Sequence, residues 1–199
     1  ATEGWTELVD LGHNEHKNIA IGGAPAEGVK RWIAYTVINT NEIAYANDAD
    51  DLTDSNNWTL LDFSTNTKCA DGGPGIAWGN DVWIAGGLAV NDGDSYVTMH
   101  SSSNGGAAWE LIDEGNTVND ATRAVVYKEG STWFMGHQSH VWKSTNDGAT
   151  WADTITLEAV KDIYAMAYDG SGRWVAVLQT GNIYTSDDDW GSATERTSG

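Results

Sequence analysis

The sequence is short of the residues that cross-link or stiffen a chain. It has one cysteine, Cys69, so no disulfide can form within it and its stability must come from packing. Cys69 reads as a small buried apolar filler and not as a reactive thiol. Only two prolines occur, so the turns must be made by Gly, Asn and Asp. Phe is also scarce, at two, against eleven Trp and seven Tyr. Basic residues number ten against 29 acidic ones, giving a formal charge of −19. Phosphates would be repelled over most of such a surface, which excludes nucleic acid as a partner. No apolar run approaches the roughly 18 residues of a membrane span, so membrane insertion is not expected. The opening "ATEGWTELVD" lacks a basic stretch followed by an apolar one, so no signal peptide is visible.

What is present is repetition. Trp32, Trp83, Trp133 and Trp174 sit in "RWIAYT", "VWIAGG", "TWFMGH" and "RWVAVL". A short apolar strand precedes each: "NIAIGG", "GIAWGN", "RAVVYK" and "AMAYDG". A third follows: "EIAYAND", "YVTMHSSS", "HVWKSTND" and "NIYTSDDD". Then comes a turn rich in Asn, Asp, Ser and Gly, closed by Trp58, Trp109, Trp151 or Trp190. The period falls from about 50 to about 40 residues, in the range of propeller blades. Such small sheets cannot hide both faces alone, and packing them face to face around an axis solves that.

The expected fold is therefore all-β: a small β-propeller of four blades, each of four antiparallel strands, in one domain spanning 1–199. The blades fall at about 14–63, 64–113, 114–156 and 157–190. Residues 191–199, "GSATERTSG", are polar and read as a tail. The N-terminal "WTELVD" (5–10) looks like "WTLLDF" (58–63) and "WELID" (109–113). Residues 1–13 are thus assigned as the closing strand that completes the last blade and covers an open sheet edge.

The turns carry a resemblance. Ser144, Asn146, Gly148, Thr150 and Trp151 follow the pattern Ser-x-Asp-x-Gly-x-Thr-Trp with Asn for Asp, as do Ser102, Asn104, Gly106 and Trp109 with Ala108 for Thr. This resembles the Asp-box, or BNR, repeat of sialidase-like β-propellers. "TSDDDW" (185–190) reads as a shortened copy and "NDADDLTDSNNW" (47–58) as an expanded one. The resemblance implies a structural role, in which a short Asn or Asp side chain accepts turn amides and the Trp packs beneath.

A sialidase-like activity would imply six blades, three arginines gripping a carboxylate, and a Tyr–Glu pair. The chain has only Arg31, Arg123, Arg173 and Arg196, and no catalytic residue is assigned. His13 with His16, and His137 with His140, share a His-x-x-His spacing but lie on no helix, so they read as surface or turn histidines and not metal ligands. No cofactor is expected; the acidic loop 48–54 is the one place where Ca²⁺ would find closely spaced oxygens. Lys17, Lys68, Arg123 and Lys161 lie ahead of the first strand of each blade, with Asp71, Asp120 and Asp162 nearby. On a propeller they would ring one channel mouth, a candidate site for an anion or an acidic partner.

The expectation for function is a non-catalytic interaction module. Asp-box propellers without sialidase residues resemble virion-surface proteins, of bacteriophages among others, that decorate capsids or sit on tails. That resemblance implies capsid or tail proteins as partners and a virion-surface or extracellular location. The competing reading is a glycan-binding adhesin whose exposed Trp and Tyr stack on surface sugars. A glycosidase is the third.

Overall fold

The computed structural model describes residues 16–24, 27–36, 42–62, 75–91, 94–103, 105–106, 109–117 and 122–196. These form sixteen β-strands with one short 3-10 turn, Ser55–Asn57, and no α-helix among the described residues. The first sheet holds β1 (His16–Ala24), β2 (Val29–Thr36), β3 (Glu42–Asn47) and β4 (Thr59–Asp62). The second holds β5 (Ile76–Gly79), β6 (Val82–Asn91), β7 (Asp94–Ser102) and β8 (Glu110–Thr117). The third holds β9 (Thr122–Glu129), β10 (Thr132–His137), β11 (His140–Ser144) and β12 (Ala152–Thr156). The fourth holds β13 (Ile163–Tyr168), β14 (Trp174–Leu178), β15 (Ile183–Ser186) and β16 (Thr194–Arg196). Each sheet is an antiparallel meander in chain order.

The hairpins form where the chain can turn left-handed. Asn80 and Asp81, at φ 47° and 60°, make the two-residue link from β5 to β6. That geometry follows the natural strand twist, and short polar side chains tolerate it. The sheets then stack through their tryptophans. Trp83, Trp133 and Trp174 are completely buried, in clusters with Ile33, Ile84 and Phe134 of the preceding sheet. The approach is close enough that small residues are required. A Cβ at Gly79 would land on the ring of Tyr127, and one at Gly136 on Ile163.

Burial along the strands records this stacking. In β10 every residue from Trp133 to His137 is buried, because sheets cover both faces. In β14 the pattern alternates, with Trp174, Ala176 and Leu178 buried and Val177 exposed. The inner strands β1, β5, β9 and β13 lie side by side in that order, while β13 does not pack on β1 in the same way. Among the described residues the four sheets form an arc and not a closed ring.

The expected closure is corrected. The outer position of the fourth sheet, assigned to residues 5–10, is taken by β16, whose Thr194, Glu195 and Arg196 pair with Thr185, Tyr184 and Ile183. The presumed tail is therefore a strand in part, and the fourth sheet ends at Arg196 instead of residue 190. Residues 5–10 lie outside the described residues. The reason for the misreading is local. Ser186 Oγ accepts the N–H of Trp190 at 2.9 Å, the bond that Ser144 makes with Gly148 and Ser102 with Gly106. Trp190 thus fills the glycine position of the turn, at φ 64°, and does not lead a strand. Asp188 accepts the N–H and hydroxyl of Ser192, while Asn146 bonds the N–H and hydroxyl of Thr150. The fourth turn is full length, and its strand begins three residues later than Trp190 suggests.

Candidate functional site

The turns themselves are occupied by their own hydrogen bonds. Asn146 Oδ1 accepts from Thr150 N at 2.9 Å, and Ser144 Oγ from Gly148 N at 2.9 Å. Trp109 donates its indole N–H to the Gly106 carbonyl at 2.9 Å, and Trp151 packs into the cluster around Trp133. Asn104 lies outside the described residues. The chemistry of Ser102, Gly106, Ser144, Asn146 and Gly148 is spent on backbone groups that no strand satisfies.

Sequence reasoning missed the residue that does most in the third turn. Asp147 accepts from the Trp133 indole, from the Ser131 hydroxyl and from Asn80 of the second sheet. Asp189 does the equivalent work for Trp174 and takes Lys128 from the third sheet at 2.7 Å. Burial opposes ionisation of Asp189, but the hydrogen bonds from Lys128 and Trp174 outweigh it and hold the carboxyl below its ordinary range. The signal was present in the indole that each sheet must satisfy. In the second turn the position is Gly105, which has no side-chain acceptor, and Trp83 donates to the Gly23 carbonyl instead.

Three of the four cations expected to ring a channel mouth, Lys17, Arg123 and Lys161, lie among the described residues. Lys68, Asp71 and Asp120 lie outside the described residues, and Lys17 falls within β1, not ahead of it. Arg123 is likewise the second residue of β9, and Lys161 lies two residues before β13. Arg123 is engaged across the seam between the third and fourth sheets. It donates to Asp162 at 3.1 Å and lies over the Tyr164 ring, 5.1 Å from its centroid. The pair is largely buried, with side-chain exposures of 19% and 14%. It is an inter-sheet tie as much as a surface cation.

Beside it lies the most unusual polar group of the described residues. His137, at the end of β10, pairs with Thr122 at the start of β9. It is buried, not a surface histidine as its spacing suggested, whereas His140 meets Asp153 at the surface at 2.9 Å. Neither ring nitrogen of His137 has a hydrogen-bond partner, nor does the Thr122 hydroxyl. Burial, aided by the nearby His140, lowers the imidazole pKa to about 4, so it is neutral at pH 7. The backbone around it is fixed by Ile163 N donating to the Gln138 carbonyl at 2.7 Å, with Gln138 at φ 47°. A neutral imidazole and a hydroxyl side by side offer donors and acceptors to a polar group, and Tyr164, 46% exposed, adds an aromatic face. A base of pKa about 4 is too weak to abstract protons well near neutrality.

The four arginines do not converge. Arg31 is buried against Glu27 and the Gly105 carbonyl, Arg173 meets Asp187, and Arg196 bonds Thr185. In the 48–54 loop, Asp51 takes the N–H and hydroxyl of Thr53 and Asp54 caps the 3-10 turn. No group of three or more His, Cys, Asp or Glu suited to a metal occurs among the described residues. No described helix is long and apolar enough to cross a membrane.

No protein-family model matches the sequence, and no curated protein is significantly similar to it. Solved structures do match. An ancestral GH74 enzyme superposes at TM-score 0.66 with 17% identity, over 98% of this chain and 27% of its own. Penicillium chrysogenum alpha-L-arabinanase complexed with arabinobiose gives 0.62 and 8%, over 95% and 69%. YCF48 bound to D1 peptide gives 0.58 and 13%, over 83% and 50%. The fold is of the β-propeller type. The chain spans half of the YCF48 chain and about a quarter of the GH74 enzyme.

Proposed function

We propose that the chain is a non-catalytic interaction module that binds a polar ligand at the rim between its third and fourth sheets. The observation that carries this reading is His137, buried and neutral, with both ring nitrogens unpartnered, beside the Thr122 hydroxyl and the exposed Tyr164 ring. Buried polar atoms without partners cost free energy unless a water or a ligand satisfies them. Arg123 and Asp162 neutralise each other there, so the site suits an uncharged polar group better than a free anion. One structural neighbour holds a peptide and another arabinobiose, and both ligand classes offer such groups. The partner we favour is a protein of a virion surface, capsid or tail, a choice carried by the resemblance of the turns.

A glycan-binding adhesin is the second reading, favoured by the solvent-facing Tyr164 beside polar groups, an arrangement on which a sugar ring can stack. A glycan-array screen of the folded protein, run beside its Tyr164→Ala variant, separates the two. A blank array supports the protein-binding reading. Saturable binding that Tyr164→Ala abolishes moves the assignment to the adhesin. Turnover of aryl glycosides above a heat-denatured control overturns the non-catalytic assignment altogether.

A further inference from the structure

The seams inside the molecule repeat one design. The residue after the strand tryptophan of one sheet packs into the next, and Ile33, Ile84 and Phe134 are all fully buried by this. The inner strand adds Ala20, Ala77 and Val126 to the same three clusters. On the receiving side stand Trp83, Trp133 and Trp174, each paired across its hairpin with an aromatic residue: Trp78, Tyr127 and Tyr168.

The first and fourth sheets each present one half of this design to solvent. On the first, Ile21 pairs with Trp32 as Trp78 pairs with Trp83, so the two form the receiving half. Ile21 is 46% exposed, and Trp32 is half-buried where its three counterparts are fully buried. On the fourth, Val175 stands where Ile33, Ile84 and Phe134 stand, and Ala167 where Ala20, Ala77 and Val126 do. Ala167 is exposed, and beside these two Val177 and Ile183 are 36% and 40% exposed. The two faces are complementary because they are the two sides of an interface that the molecule already makes three times. Exposed apolar patches of this kind mark association sites.

We propose that a second copy of this chain covers both faces, head to tail, so that two four-sheet arcs close into one ring of eight sheets. The fourth sheet of each copy packs on the first sheet of the other. The contact is heterologous, and a ring of two closes it. Eight sheets is within the usual range for propellers, about four to eight. Charge favours the same pairing. Arg173 precedes Trp174 as Arg31 precedes Trp32, and Arg31 reaches across its seam to the Gly105 carbonyl at 3.0 Å. In the ring, Arg173 meets the acidic turn of the partner's first sheet, which carries Asp48, Asp50 and Asp51.

Light scattering coupled to size exclusion tests this on the unmodified chain, with a single species of twice the chain mass expected. Ile21→Glu blocks one face and Val177→Glu the other, at exposed positions that leave the internal seams untouched. Each contact of the ring uses one face from each copy, so either variant alone is expected to run as a monomer. An equimolar mixture keeps one good contact and is expected to recover a weaker heterodimer. A monomeric unmodified chain overturns the proposal, even if a variant fails to fold. A dimer that survives either substitution, or a concentration-dependent ladder of longer species, overturns it as well.

Discussion

Asn80 donates its side-chain amide to both carboxylate oxygens of Asp147, at 3.0 and 2.9 Å, across the seam between the second and third sheets. Equivalent ties cross the other seams, from Arg31 to the Gly105 carbonyl and from Lys128 to Asp189. Each runs from the hairpin between a sheet's first two strands to the turn of the next sheet, and the turn also holds that sheet in place. Asp147 simultaneously accepts the buried Trp133 indole.

Replacing Asp147 separates these roles. Asp147→Ala leaves the Trp133 and Ser131 donors without an acceptor, and an unsatisfied buried donor costs about 1–3 kcal/mol. Asp147→Asn keeps one carbonyl oxygen and suits the left-handed φ of 53°. Urea unfolding is expected to show a loss of about 3 kcal/mol for the alanine variant and about 1 for the asparagine. Equal losses would mean that the carboxylate is not the acceptor that matters.

Trp190 sets two effects against each other. Its φ of 64° is strained for a tryptophan, at about 1–3 kcal/mol. Its ring is fully buried, 6.2 Å from that of Trp174, and deleting a core tryptophan costs about 3–5 kcal/mol. Burial wins. Trp190→Gly, although it restores the glycine found at positions 106 and 148, is expected to lower stability by about 2 kcal/mol. A stabilised variant in the same urea assay would reverse that ranking.

The same residue explains where the sequence could be read and where it could not. The strand tryptophans announced the four sheets, because one sequence neighbourhood recurs wherever one packing environment recurs. The turn at 185–193 misled, because its glycine position is filled by a tryptophan and its tryptophan position by Ala193. An aromatic residue can be supplied from either position, so its presence does not fix the register; the Ser186 hydrogen bond to Trp190 does. The rim was legible only in Arg123 and Asp162. His137 looked like a turn residue because its burial comes from the next sheet, through Ile163 and its neighbours, and not from local sequence. The arc was not legible at all. Ile21, Val175 and Val177 are ordinary strand residues until their counterparts in the inner sheets are seen to be buried.

Close approach between sheets makes its own prediction. The ring of Tyr127 lies flat against Gly79, so a methyl group there must displace the ring or the strand. Gly79→Ala is expected to lose about 2 kcal/mol or more, as overpacked cores do. The double variant Gly79→Ala with Tyr127→Leu should cost less than the sum of the two singles, because each relieves the other's misfit. Strict additivity would show that the methyl group is accommodated elsewhere.

The acid sensitivity of the fold should trace to His137. Burial first, then the like charges of His140 and Arg123, hold its folded pKa at about 4 against the opposing pull of Asp162. In the unfolded chain the same imidazole takes up its proton near the ordinary 6.5. Between these values the unfolded state binds more protons, so stability rises with pH. The contribution is fully present above 6.5, is lost as the pH falls toward 4, and does not decline further below that. At roughly 1.4 kcal/mol per unit, the gap amounts to about 3 kcal/mol. Asp169, held down to about 2 by its bonds to Ser171 and Arg173, gives up its contribution only below its ordinary 3.8, outside this window. Urea midpoints between pH 7 and 4.5 are therefore expected to fall steeply for the native sequence and to stay nearly flat for His137→Leu. That variant should also be at least as stable at pH 7, since two unpartnered ring nitrogens are replaced by an apolar group. If both proteins lose stability in parallel over this range, the proton that destabilises the fold is taken up elsewhere.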